Sequence, residues 1–503
     1  MDANDRPKLL IFIVAYNAES TLLKVLDRIP VELFDNFQTE VLVIDDASKD
    51  RTFELGLSRA ESWPHCRITI LQNPQNQGYG GNQKLGYEYA IRNDFDCVAL
   101  LHGDGQYAPE KLPALVQPIT DGQFDAVFGS RMIAKGGARK GGMPLYKYLG
   151  NKILTTFQNA FLKTELSEFH SGFRAYSTKM LRQIPFQLNS NDFHFDTDII
   201  IQLILGGHRL LEIPIPTYYG DEVCYVNGMN YAMNVVRSTL ASRLHSMGIR
   251  YQRKFDVEPF EETYDIKLGY TSSHTMAIDA VPEKSRVLDL GCGPGLVARE
   301  LLDKGCFVAG LDLERPSQKN VSKYIEWDLN SNELLEEIAD YEYVLLLDII
   351  EHLQKPEKLI DLLRQNAKSS RPTIILTTAN VTFAVTRLMF MLGQFNYGKK
   401  GILDQTHTRL FTFSSMQNML RQSGYEIIDV VGIPAPFPRA IHNEHLSSAL
   451  VRLNEMLIRL HKPLFSYQMY FKISPLPTVD NLLNESIDFS SVKSDHSYPS
   501  PAK

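Results

Sequence analysis

Short apolar runs punctuate the first 130 residues, and each stops at polar or glycine residues: LLIFIVAY (9–16), VLVIDD (41–46), RITILQN (67–73), CVALLHGD (97–104) and DAVFGSR (125–131). Between them lie stretches with apolar residues three and four apart, such as STLLKVLDRI and GNQKLGYEYAIRN. Runs of this kind read as strands buried on both faces, and the intervening stretches as amphipathic helices. The alternation predicts an α/β fold with a mostly parallel sheet covered by helices. Ligands of such sheets bind beyond the carboxyl ends of the strands, where Asn17, Asp45, Asp46 and Asp104 fall.

A second alternation opens at RVLDLGCGPG (286–295) and continues through FVAGLDLE (307–314), YVLLLDIIEH (343–352) and TIILTTAN (373–380). Two α/β domains are therefore expected, over 1–228 and 266–475, with different motifs and no internal repeat. In the helical connection between them, 229–265, Met229, Met233, Val236, Leu240 and Leu244 recur at helical spacing. That spacing predicts one amphipathic helix packed against a domain. Leu450, Leu453, Leu457 and Leu460 recur in the same way in a C-terminal helical extension, 436–475, and read as core. The polar, serine-rich end, 476–503, reads as a disordered tail.

Composition narrows the class. With 44% hydrophobic and 22% charged residues the chain is of soluble globular type, and its net charge of −7 argues against a nucleic-acid partner. The five cysteines form no CxxC pair, which fits a reducing compartment better than a disulfide framework or a structural zinc site. The N-terminus lacks the basic start and the cleavage site of a signal peptide. The apolar-leaning stretch 374–392 is broken by threonines, Asn380 and Arg387, so no transmembrane helix is expected. These features predict a cytoplasmic protein and leave peripheral membrane contact open.

The second half carries the stronger local signal. A strand runs into Gly291, Gly293 and Gly295, and a helix with Val297, Leu301 and Leu302 on its apolar face follows. Glycines let the backbone turn tightly and approach a ligand closely. The next strand ends at Asp312, at the spacing from which an acidic residue reaches ribose hydroxyls. A dinucleotide-binding loop would read GxGxxG, but here the third glycine comes one residue early and Leu296 follows it. Asp328 lies just beyond a third strand, and Asp348 closes a fourth. With TSSH (271–274), DIIEHL and GILDQTHTRLFT (401–412), the segment resembles the class I S-adenosylmethionine-dependent methyltransferases over roughly 255–435. The resemblance implies S-adenosylmethionine as cofactor and Asp289, Gly291, Gly293, Gly295, Asp312, Asp328 and Asp348 as its contacts. His407 and His352 are candidate bases for a hydroxyl acceptor. For His352 a structural place at a helix start is the favoured reading, and His407 remains open between base and structural histidine.

In the first half Tyr16 and Asn17 follow the first strand, Asp45 and Asp46 the second, and LLHGDGQY (100–107) closes the fourth. Asp46 can accept from ring N–H and ribose hydroxyl groups. Asp104 is the natural ligand for the cation that a diphosphate needs, and Arg131 is a candidate phosphate partner. With NQGYGGNQKLG (76–86), EFHSGFRAY (168–176), NDFHFDTDIIIQ (191–202) and LEIPIPTYYGDE (211–222), residues 8–226 resemble glycosyltransferase family 2, in particular its polyprenol-phosphate-sugar synthase-like branch. The resemblance implies a GT-A-like sheet, a UDP- or GDP-linked sugar, Mg²⁺ or Mn²⁺ at Asp104, and a glycan or lipid-linked acceptor. The sequence departs from the family's DxD motif at His102, which stands at the first aspartate.

Asp196 and Asp198 are the candidate bases for an acceptor hydroxyl. If the acceptor is a lipid phosphate no base is needed, and Arg174 can bind it. The chain reads as a bifunctional transferase; the alternative is an active methyltransferase whose N-terminal half is a non-catalytic nucleotide-binding module. A nucleotidyltransferase would want a basic glycine loop after the first strand, and AYNAES has none.

Overall fold

A computed structural model describes residues 6–134, 136–218, 227–258, 267–313, 320–331, 338–367, 370–441 and 443–496. The chain divides into two compact units, Met1–Ser246 with Gln252–Glu262, and Met247–Tyr251 with Thr263–Lys503. The predicted α/β class holds in both.

The first unit is built on seven strands: β1 (Lys8–Ala15), β2 (Gln38–Asp45), β3 (Arg67–Gln72), β4 (Cys97–His102), β5 (Ala126–Ser130), β6 (Arg174–Ser177) and β7 (Leu210–Pro214), in the order β3-β2-β1-β4-β6-β5-β7. β1 pairs in parallel with β2 and β4, and only β6 runs against its neighbours. Along β1 the side chains alternate between two cores, Leu9, Ile11 and Ile13 in one and Leu10 and Phe12 in the other. That is the reason its sequence is apolar throughout rather than alternating. Strand order reverses between β1 and β4, and the register sets Val14 beside His102 at their carboxyl ends. In open α/β sheets the ligand crevice lies outside such a reversal.

The second unit has its own seven strands: β8 (Arg286–Leu290), β9 (Phe307–Asp312), β10 (Lys323–Glu326), β11 (Tyr343–Leu347), β12 (Thr373–Ala379), β13 (Tyr425–Ile433) and β14 (Gln468–Pro475), in the order β10-β9-β8-β11-β12-β14-β13. The last strand inserts between β12 and β13, antiparallel to both. A dinucleotide-binding sheet would continue 3-2-1-4-5-6, so the topology separates this unit from the competitor that the glycine loop suggested.

Several expectations are corrected. The stretch 436–475 is not wholly helical: it holds the helix Glu444–Leu460 and then β14, an interior strand. That helix buries Val451, Asn454 and Ile458 and leaves Leu453 and Leu460 exposed, so these two leucines are not core. The tail read as disordered contains a helix, Val479–His496. The helix expected in the connection exists, Gly228–Ser246, and it belongs to the first unit. Its methionines, however, face outward: Met229 is 74% and Met233 45% exposed, while Val235, Ser238, Thr239 and Ser242 are buried. No described helix is long and apolar enough to cross a membrane. Four of the cysteines are unbonded, and Cys224 lies outside the described residues.

Candidate functional site

The carboxyl edge of the first sheet gathers most of the predicted residues. Asn17 leaves β1 with φ of 48°, its N–H donates to Ser48 Oγ at 2.8 Å, and its side-chain oxygen accepts from the Lys49 N–H at 3.1 Å. Tyr16 beside it is 38% exposed. Asp45 is fully buried and accepts from the Ser48 N–H at 3.2 Å and from Gln72 Nε2 at 2.9 Å. Asp46, also buried, accepts from Asn73 Nδ2 at 2.7 Å and from the N–H groups of Gln77 at 2.8 Å and Gly78 at 3.0 Å. One carboxylate thereby pins the NQG turn that opens the helix Tyr79–Arg92.

Beyond β4 the chain builds a polar network. Tyr79 Oη lies 3.0 Å from Asp196 Oδ2 and 3.2 Å from His102 Nε2. Burial, and then the Asp196 charge, push the Tyr79 phenol well above its ordinary pKa, so it stays a donor. The phenol O–H donates to Asp196 Oδ2, so His102 Nε2–H donates to the phenol oxygen. Burial lowers the His102 pKa and keeps the ring neutral, which leaves Nδ1 with the lone pair. The ring is wedged between Tyr107, 4.9 Å away edge-on, and the backbone of Gly172, where a Cβ would stand 2.6 Å from the imidazole. Asp104 is exposed at the next turn, and its Oδ1 accepts the Gln106 N–H at 2.9 Å.

Among the described residues no cluster of three or more His, Cys, Asp or Glu side chains is placed to hold a metal ion. One exposed carboxylate suits a Mg²⁺- or Mn²⁺-type ion that takes its remaining ligands from substrate phosphates and water.

The two predicted carboxylates of the helix Phe195–Leu205 part company. Asp196 faces the Tyr79 network, with Arg174 Nη1 3.6 Å away and Gln83 Nε2 at 3.3 Å. Asp198, two residues on and about 200° round the helix, is ion-paired with Lys254 Nζ at 2.7 Å and accepts from Ser238 and from the Ser190 N–H at 3.1 Å. It ties this helix to Gly228–Ser246.

The two arginines expected to meet phosphate point inward. Arg174 is 1% exposed and donates to the carbonyls of Ser171, Phe169 and Asp196 at 2.7, 2.8 and 3.2 Å. Arg131 is buried, ion-paired with the fully buried Glu168, and donates to the His170 carbonyl at 3.0 Å. As placed, both brace the site from behind. Tyr79, Glu168 and Lys254 were not among the expected site residues, although Glu168 opens the EFHSGFRAY motif. Tyr79 lies inside NQGYGGN, whereas Lys254 stands in no motif.

In the second unit the glycine loop follows β8 with φ of 71°, 52° and 76° at Gly291, Gly293 and Gly295. A Cβ on Gly291 would strike Ile349 at 2.4 Å, whereas one on Gly293 would meet nothing within 4 Å. The loop is therefore packed on one side and open on the other. Asp312 Oδ2, at the end of β9, accepts the Gly293 N–H at 2.7 Å. Asp289 is buried, and desolvation followed by the Asp312 charge raises its pKa to about 7. Asp328 is exposed after β10 and turns the chain by accepting the Asn330 N–H at 2.8 Å.

Asp348 follows β11 at φ of 58° and is held by Lys267 Nζ, Thr377 Oγ1 and Gln468 Nε2, all at 2.8 Å, and Ser273 Oγ at 3.1 Å. Burial alone would raise its pKa, but the Lys267 charge and these donors hold it well below the carboxylate range. Glu351, missed in the sequence, is buried, and desolvation with the Asp348 charge raises it to about 8. His352 ends a 3₁₀ turn, Ile350–His352, with Nδ1 3.0 Å from Thr406 Oγ1. Its ring lies 4.8 Å from that of His407. His407 Nδ1 donates to the Ile402 carbonyl at 3.0 Å, and burial lowers its pKa, so the lone pair sits on Nε2. An open glycine loop flanked by acceptors at the ends of β8, β9 and β11 fits S-adenosylmethionine.

Residues 10–185 match the family described as Glycosyl transferase family 2, and residues 272–430 match that described as Methyltransferase domain. The chain is 28% identical to the undecaprenyl-phosphate mannosyltransferase of Micrococcus luteus, over 41% of this chain and 82% of that protein. It is 26% identical to the UDP-N-acetylglucosamine–dolichyl-phosphate N-acetylglucosaminyltransferase of Methanococcus voltae, over 42% of this chain and 87% of that one. Among solved structures it is similar to glucosyl-3-phosphoglycerate synthase from Mycobacterium tuberculosis in complex with Mn²⁺, UDP and phosphoglyceric acid. That likeness has a TM-score of 0.37 at 16% identity, covering 47% of this chain and 79% of that one.

Proposed function

We propose that this chain, a transferase with a family 2 glycosyltransferase domain and a methyltransferase domain, moves a sugar from a UDP- or GDP-linked donor in its first domain and a methyl group from S-adenosylmethionine in its second. The observation that carries the first half is the pairing of an exposed carboxylate, Asp104, with a buried one, Asp196, at the β1/β4 reversal. Asp104 would hold the cation, which when bound offsets the charge of the donor diphosphate. Asn17, Tyr16 and the turn pinned by Asp46 would receive the nucleoside.

Asp196, oriented by Tyr79 and Gln83, would take the proton of an acceptor hydroxyl. Two curated relatives are named for polyprenyl or dolichyl phosphate acceptors. With such an acceptor the nucleophile is already anionic and the transfer needs no base. In the second domain Gly293 and Asp312 would hold the cofactor, and His407 Nε2 would accept the proton of the methylated hydroxyl. The linked products would be methylated glycans or glycolipids.

One observation favours a second reading. His102 replaces a carboxylate and is bonded to Tyr79, which suits a first domain that binds nucleotide without a cation and transfers no sugar. Calorimetric titration of UDP and GDP, each with Mn²⁺ and again with EDTA, separates the two. Metal-dependent binding of one nucleotide, lost in Asp104→Ala, supports the transferase. Absence of binding by either nucleotide, with S-adenosylmethionine still bound, leaves methyl transfer as the one activity.

A further inference from the structure

Two helices of the first unit are amphipathic inside out. The helix Leu145–Leu162 buries Asn151, Thr155 and Gln158 and turns Leu145, Tyr146, Leu149 and Ile153 to the outside, at 56%, 73%, 48% and 68% exposure. The helix Gly228–Ser246 packs against it and buries Ser238, Thr239 and Ser242 beside a single apolar side chain, Val235, while Met229, Met233 and Leu240 are exposed. Gln158 has neither amide atom hydrogen-bonded, so its burial is not explained by a polar network. A water-facing helix normally shows the reverse pattern, and a contiguous exposed apolar stripe marks an interaction surface.

Charge selects the partner. From Ala126 to Thr164 the sequence has seven lysines and arginines and no aspartate or glutamate, in a chain whose net charge is −7. Arg131 is neutralised by Glu168, but Arg139, Lys140 and Lys152 are exposed. The helix Gly228–Ser246 adds Arg237 and Arg243, again with no acidic residue. Aliphatic and aromatic side chains flanked by lysine and arginine, without carboxylates, are the composition of a helix that lies in the headgroup region of an anionic bilayer. A face for a second copy of the chain would have to bring this cationic surface against itself.

Position agrees with this reading. β6 is antiparallel to both β4 and β5, so β4 and β5 run the same way, and the basic segment leaves β5 at the sheet edge that carries Asp104.

We infer that this helix pair docks the first domain on a membrane surface bearing anionic lipid, with the apolar stripe inserted among the headgroups. The inference does not depend on sugar transfer. A lipid-linked acceptor, if that is the substrate, would arrive at the edge where Asp104 lies.

The test is co-sedimentation of the full chain with vesicles of phosphatidylcholine alone and of phosphatidylcholine with about one third phosphatidylglycerol. Binding to the anionic vesicles, weakened by salt, is expected. Leu149→Glu with Ile153→Glu should reduce it by about tenfold or more. Lys140→Gln with Lys152→Gln should reduce it by about fivefold for each charge. All four positions are exposed, so unchanged circular dichroism and melting are required as the folding control. Calorimetric UDP and GDP binding in the same variants keeps this result separate from the transferase reading. Vesicle binding that the variants leave unchanged, or no vesicle binding, overturns the inference. So does a dimer, seen by sedimentation without lipid, that the same substitutions dissolve.

Discussion

Asp289 is a carboxyl group that the apo domain holds at a cost. It is 3% exposed and next to Asp312, and its pKa rises from 3.8 to about 7. The folded state therefore binds this proton more tightly than the unfolded chain does. Its contribution to stability is fully present below pH 3.8, declines as pH rises, and is lost once pH passes about 7. At about 1.4 kcal/mol per pH unit, the buried charge at pH 8 corresponds to roughly 4 kcal/mol of lost stability. Asp289→Asn keeps the shape and removes the charge, so it should stabilise the apo domain at pH 8 by up to that amount. For a domain of this size the melting temperature would rise by roughly 10 °C. The gain should fall below half by pH 5, where the wild-type carboxyl is already protonated in the folded state.

The assay is differential scanning calorimetry of the full chain between pH 5 and 8, with the second domain's transition identified by its shift on adding S-adenosylmethionine. If Asp289 also contacts the cofactor, the same variant should bind it at least tenfold more weakly, a site that gives up stability for function. An asparagine variant that melts lower than wild type at pH 8, or a gain that does not shrink toward pH 5, would refute the reasoning.

Three further outcomes are expected. Tyr79→Phe leaves His102 Nε2–H and Asp196 Oδ2 without their shared partner, which should cost about 2 kcal/mol in urea denaturation and lower sugar transfer. Lys254→Met strands the fully buried Asp198 and should cost about 3–5 kcal/mol, while nucleotide affinity per folded molecule stays at the wild-type value; a lost affinity would return Asp198 to the site. Asp46→Ala releases three donors of the 73–78 turn and should abolish calorimetric UDP or GDP binding, with Asp46→Asn recovering part of it.

The α/β class, the carboxyl ends of nine strands and the glycine loop are legible before any folding, because each is written in contiguous residues. An apolar run ends where the backbone leaves the sheet, and glycine stands where φ is positive. Asp46, Asp104, Asp289 and Asp312 lie, as expected, at or just past the carboxyl ends of their strands. Tertiary structure alone decided which way the remaining side chains face. Asp196 and Asp198 are two residues apart in one segment, yet helical rotation sends the first toward Tyr79 and the second toward Lys254. Arg131 and Arg174 carry the charge of phosphate ligands, but Glu168, 37 residues from Arg131, and the carbonyls of Phe169, Ser171 and Asp196 around Arg174 engage them inside the fold. β14 could not be placed in the sheet interior from its own residues, since pairing with β12 and β13 joins positions about 90 and 40 residues apart. The methionine and leucine periodicities each mark a helix that forms, and the first packs on its own unit as expected, but Met229, Met233, Leu240, Leu453 and Leu460 face outward. Spacing reports that a face is apolar, and only packing decides whether that face meets protein.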